Sequence, residues 1–219
     1  LGRVAGDGGP AVSGAEARLG VAFWLTMVSL TSMTYADQLL LERLAETSGE
    51  LKTYALAVAV VMMPFTLVGS AAGAVLLPSI AGGRRIRPRL GEAAASLAGL
   101  RGLAVGVGCI AALAVFYAAA RLLLARVDAH LTPAMFCLLA AVGTLRVLYA
   151  LPSSVVGAVG TPGLVARVGG LECAVVAVQI PATVLLYRLL GMHGVALATL
   201  GAWALRLAVG AWGIRRLPF

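Results

Sequence analysis

"GTLRVLYALPS" (residues 143–153) sits inside Met135–Gly160, an almost unbroken run of Leu, Val, Ala, Phe and Gly. The run is long enough for a helix to cross a bilayer core, which takes about 20 apolar residues. Near its centre stands one full positive charge, Arg146. Hydrocarbon penalises such a charge by ~2.5–3.5 kcal/mol or more, so Arg146 must face something other than lipid. At about 100° per residue, Arg146, Tyr149, Ser153 and Gly157 share one side of a helix. A polar stripe on an apolar helix makes this run a membrane span with a functional face.

The rest of the chain agrees. Of 219 residues, 61% are hydrophobic and only 12% are charged, where a soluble domain carries ~25% charged residues. The mean hydropathy is +0.98. These values describe an all-α membrane protein crossing the bilayer several times. The runs lack the period-2 alternation of a barrel, and helices satisfy their own backbone groups in lipid. Six segments qualify as spans: about 21–41, 54–77, 102–124, 135–160, 168–187 and 194–214. Residues 1–20 are a Gly-rich, polar cytoplasmic segment or linker with no signal-peptide pattern. The start at Leu1 reads as a cut within a longer chain. Residues 82–101 form a basic cytoplasmic loop beginning "GGRRIRPRL".

The net charge of +8 does not imply nucleic acid, because the basic residues lie between apolar runs rather than along one soluble face. With a cytoplasmic N-terminus, the inner segments hold Arg3, Arg18, Arg84, Arg85, Arg87, Arg89, Arg101, Arg167, Arg215 and Arg216. The outer segments hold only Arg43, Lys52, Arg121, Arg126 and Arg188. The positive-inside bias therefore predicts that both termini are cytoplasmic. Gly69 and Gly73 form a small-residue pair suited to close helix contact, and Pro64, Pro152 and Pro181 fall inside spans. Cys109, Cys137 and Cys173 read as small buried hydrophobes, not ligands or disulfides.

Besides Arg146, three charges lie within apolar runs. Arg206 is central in the sixth, in "AWALRLAVG" (202–210). Asp37 lies towards the outer end of the first, and Glu172 near the inner end of the fifth. Glu172, Gln179 and Thr183 share a side of one helix, and Thr199, Arg206 and Gly210 a side of another. These stripes predict a common wet interior. Two central arginines predict a cavity that attracts an anion, because guanidinium pairs with phosphate through a bidentate fork. The competing expectations are a structural ion pair of Arg146 with Asp37 or Glu172, and an Arg206 that snorkels. No Walker A loop, GxSxG, HExxH or catalytic carboxylate pair occurs. The expectation is a non-enzyme with no cofactor or metal.

The order of features resembles the C-terminal lobe of the polysaccharide flippases, the Wzx-type and MviN-type members of the superfamily that includes the MATE exporters. The resemblance rests on Asp37, Gly49, Tyr54 and "VLLPSIA" (75–81), in "YADQLLLERLAETSGELKTYALAVAVVMMPFTLVGSAAGAVLLPSIA" (35–81). It rests also on "LLYRLLGMHGVALATLGAWALRL" (185–207), whose link runs from Gly191 to Gly194. It covers about residues 20–216. It implies one six-helix lobe of a two-lobe transporter in a bacterial inner membrane, moving lipid-linked glycans on a pyrophosphate. The partners it implies are that anionic glycan lipid, membrane lipids, and either an N-terminal lobe or a second copy. Arg146 and Arg206, with Tyr149, Ser153 and Gln179, would line the cavity. Asp37 and Glu172 would serve coupling or an ion pair. Two alternatives stay open: an ion-coupled multidrug exporter of the MATE type, and a non-transporting scaffold or degenerate half-transporter.

Overall fold

The computed structural model describes residues 14–45, 48–81, 100–127 and 129–217. Residues 82–99 of the expected basic loop and the first thirteen residues of the expected N-terminal segment lie outside them. The described residues form six helices and no strand. They are α1 (Gly14–Leu44), α2 (Ser48–Ala81), α3 (Leu100–Ala125), α4 (Pro133–Val159), α5 (Pro162–Leu190) and α6 (Met192–Arg215). This is an α-helical membrane protein.

Among the described residues, four helices are long and apolar enough to cross a membrane: α2 over Gly49–Ala71, and the whole of α4, α5 and α6. α1 breaks its apolar run with Asp37 and Gln38. In α3 the apolar stretch among the described residues is Ala111–Ala125.

Helix ends depart from the apolar runs because caps, not hydropathy, set them. Thr132 caps α4, its hydroxyl accepting from the Met135 amide at 3.2 Å, and Pro133 follows at the first helical position. Thr161 and Pro162 repeat the device on α5. Proline there loses no hydrogen bond, since the first-turn amides have no helical partner. The stretch 162–167 is therefore helix, and Glu172 lies more than two turns inside α5 rather than near its end. Gly191, at φ 59°, turns α5 into α6, a conformation that side chains with a Cβ disfavour.

The packing order is α2, α4, α6, α5, α1. Close approaches fix the directions. A Cβ on Gly143 would lie 2.4 Å from the Phe65 ring, and one on Gly69 would lie 3.9 Å from Val147. Both sequence numbers rise together, so α2 and α4 are parallel. A Cβ on Gly210 would meet Pro152 at 3.0 Å, and one on Gly213 would meet Val156 at 3.1 Å. α4 and α6 are parallel as well. Gly73 lies outside the residues whose side chains are described. α3 leans on the start of α4, with Phe116 and Tyr117 ringing Phe136 at 5.7 and 5.1 Å.

Polarity is inverted relative to a soluble domain. Val115, Leu122, Leu185 and Leu189 point outward, while Asp37, Glu172, Gln179, Thr199 and Arg206 are buried. Lipid accepts the first set, and the second must bond internally.

Candidate functional site: two polar nodes and two clefts

Heptad spacing builds the buried polar layer. Glu172 and Gln179 stand seven residues apart on α5, as do Thr199 and Arg206 on α6. Two turns separate the members of each pair, which therefore keep one face. α5 and α6 form an antiparallel hairpin, so Gln179 comes level with Thr199 and Glu172 with Arg206. α1 crosses both levels with Ser29, Met33 and Asp37 at intervals of four.

In the first node Asp37 collects donors from three helices. Gln179 Nε2 donates to Oδ1 at 3.0 Å, and the Tyr54 hydroxyl to Oδ2 at 3.4 Å. The Thr199 hydroxyl also donates to Oδ2. No cation makes an ion pair with Asp37 among the described residues. Its charge is met by neutral donors alone.

In the second node Arg206 Nη2 donates to Glu172 Oε2 at 2.9 Å, and both side chains are fully buried. The Tyr149 hydroxyl donates to the other carboxylate oxygen of Glu172. Arg206 reaches Ser29 Oγ at 3.1 Å and Met33 Sδ at 3.0 Å. Its guanidinium also lies 5.3 Å from the Tyr149 ring centre and 5.6 Å from that of Trp203. Among the described residues, three buried polar atoms have no protein partner: Gln179 Oε1, Thr183 Oγ1 and Arg206 Nε.

Two half-open clefts flank these nodes. One is lined by Asp37, Tyr54, Arg146, Thr199 and Trp203, with Met33, Met62 and Leu139. Its volume of about 40 Å³ suits a water or a small ion, since one water needs ~10–15 Å³ by this measure. The other is lined by Glu172, Tyr149, Ser153 and Thr26, with Pro152, Gly157 and Gly210.

The sequence-derived residues thus separate. Arg146 is half-buried at the rim of the first cleft, its guanidinium 5.8 Å from the Trp203 ring centre. It makes no ion pair among the described residues. Tyr149 and Ser153 border the second cleft. Gln179 is spent on Asp37. Arg206 borders neither cleft. It neither snorkels nor faces open space, because α1 and α5 close over it and Glu172 cancels its charge. The ion pair anticipated for Arg146 is made by Arg206 instead. In place of a continuous wet interior the stripes form two bonded knots. Sequence reasoning missed Ser29 as a partner of Arg206 and Tyr54 as a donor to Asp37. The spacing of four from Ser29 through Met33 to Asp37 was the available signal for the first.

Among the described residues, no group of three His, Cys, Asp or Glu side chains could hold a metal. No protein-family model, curated protein or solved structure matches the chain.

Proposed function

We propose that this chain is the C-terminal six-helix lobe of a membrane flippase that moves lipid-linked pyrophosphate oligosaccharides across a bacterial inner membrane. Its six helices all span, and both termini are cytoplasmic. The observation that carries the reading is Arg146. It is a guanidinium inside a candidate span, at the rim of a cleft, with no carboxylate partner among the described residues. A cation left unpaired in a membrane interior is a functional residue by default. Guanidinium is the side chain best suited to a pyrophosphate, whose oxygens accept its paired N–H groups. Arg206 no longer contributes to the anion site, since Glu172 neutralises it. The cleft is far smaller than a glycan, so the cargo lies against the rim, and a facing lobe or second copy forms the opposite wall. Rocking of the two lobes exposes the rim to each leaflet in turn.

The test is reconstitution of the whole transporter in proteoliposomes with a fluorescent polyprenyl-pyrophosphate glycan. Arg146→Ala should slow translocation at least about tenfold, the value of one charge-assisted contact. Arg146→Lys should retain part of it. Unimpaired translocation by the Ala variant would overturn the reading.

One observation favours a second reading. Asp37 shares the cleft with Arg146, and a carboxylate in that position suits the ion-coupled export of organic cations. Cation export that Asp37→Asn abolishes and Arg146→Ala spares would select that reading over the first.

A further inference from the structure

α4 and α6 run parallel, and their register repeats one pairing at two levels. Arg146 and Tyr149 stand three residues apart on α4, and Trp203 and Arg206 three apart on α6. At the first level the Arg146 guanidinium lies 5.8 Å from the Trp203 ring centre. One turn on, that of Arg206 lies 5.3 Å from the Tyr149 ring centre. Each helix supplies the cation at one level and the ring at the other. The levels are also tied to each other. Arg206 lies 5.6 Å from the Trp203 ring centre, and Tyr149 meets Trp203 edge-on at 5.8 Å and 70°. Glu172 closes the far end by accepting from both Arg206 and Tyr149.

Burial falls along this ladder. Glu172 and Arg206 are 0% exposed, Trp203 is 3% exposed, and Arg146 is only half-buried. The inner rungs are fixed by packing and charge pairing, and the outer rung faces the cleft.

We infer that Glu172 and Arg206 are positioning residues for Arg146, acting through the indole of Trp203. The inference rests on the reading of Arg146 as an anion site. The Glu172–Arg206 pair fixes one contact of the indole, and Arg146 settles at another. A cation–π contact uses up none of the N–H donors at the edge of a guanidinium. That edge has no hydrogen bond or ion pair among the described residues. Holding the long Arg146 side chain before the anion arrives removes an ordering cost that binding would otherwise bear. Glu172 has a second effect. It cancels the charge of Arg206, so two like charges flanking one ring do not repel each other.

The experiment measures binding of inorganic pyrophosphate to the whole protein in detergent micelles, by calorimetry, with thermal unfolding of each variant alongside. Arg146→Ala should remove most of the affinity. Trp203→Leu should weaken binding about fivefold, the value of one partly desolvated cation–π contact. Trp203→Phe should restore most of it, because a π face returns without the bulk. The double variant Glu172→Met with Arg206→Met should weaken binding to a similar degree. It should keep its fold, since replacing both members of a buried pair with apolar groups is commonly neutral or stabilising.

Wild-type affinity in Trp203→Leu and in the double variant, with affinity lost in Arg146→Ala, overturns the positioning role and leaves the anion site standing. A loss that tracks a lowered melting temperature and is not restored by Trp203→Phe also overturns it, as plain structural support. Wild-type affinity in Arg146→Ala removes the anion site itself, and the positioning role with it.

Discussion

Asp37 and Glu172 are both buried carboxylates in one bundle, each reached by donors from neighbouring helices, yet their charges are handled differently. Glu172 has a guanidinium at 2.9 Å and a tyrosine hydroxyl. Asp37 has an amide and two hydroxyls. The Glu172 knot is electrically complete, whereas the Asp37 knot is solvated but not neutralised. The Asp37 knot opens onto a cleft that Arg146 also lines, and neither residue makes an ion pair among the described residues. Of the two arginines that the sequence places together in an anion site, Arg206 belongs instead to a structural pair with Glu172. The groups left electrically unfinished are those with capacity to act on something else.

This comparison breaks most sharply when one member of the complete pair is removed. Glu172→Ala, or Arg206→Ala, leaves a fully buried charge without its partner and should cost about 3–5 kcal/mol. Unfolding of the purified protein in detergent, followed by circular dichroism, reads that loss. A cost below about 1 kcal/mol would mean that water or lipid headgroups reach the node and that it is not the rigid half of the molecule.

The helices were legible because lipid leaves a chain few choices. An apolar run of span length must be a helix, and Met135–Gly160 falls within two residues of α4 at each end. The ends were less legible because a capping threonine and a following proline add turns that hydropathy cannot see. The extra turn at Pro162 moved Glu172 from a helix end into the core, and with it the partner of Arg206. Polar faces were also legible on single helices, since heptad spacing needs no tertiary knowledge. Which face meets which was not. Nothing in the sequence of α4 or α6 alone says that Arg206 is enclosed while Arg146 stays at a rim. That is decided by where α1 and α5 pack, a long-range fact. The spacing of four from Ser29 through Met33 to Asp37 puts Ser29 on the polar face of α1, but a serine in an apolar run acquires its role only from the arginine opposite.

A smaller effect separates the nodes by the kind of change each tolerates. Asp37→Ala leaves the donors of Tyr54 and Gln179 without their acceptor, while Thr199 keeps the Val195 carbonyl at 3.0 Å, and should cost about 1–3 kcal/mol. Asp37→Asn should cost less than about 1 kcal/mol. Its carbonyl still accepts from a hydroxyl, and Gln179 can turn its amide to offer Oε1, which has no partner now. The amide of asparagine supplies the matching donor. Glu172→Gln has no such escape, because Arg206 keeps its charge whatever the amide does. Equal losses in Asp37→Asn and Glu172→Gln, in the same unfolding assay, would show that Asp37 also faces a cation and that the contrast between the nodes is false.

The smallest expected effect on stability falls on the residue with the largest expected role. Arg146→Ala removes one cation–π contact at a half-buried position and should change stability by only about 0.5–1 kcal/mol. Arginine also covers apolar surface with its methylene stem, so part of that loss is packing rather than charge. Arg146→Met separates the two by keeping the stem's bulk without the charge. If the guanidinium is held ready for an anion, it has little else to satisfy it in the empty protein, and Met should cost no more than the cation–π contact itself, about 0.5–1 kcal/mol. A Met variant destabilised as far as Glu172→Ala would make Arg146 part of the scaffold. Arg146 would then have a buried partner, and the sharing of the cleft by an unfinished acid and an unfinished base would vanish.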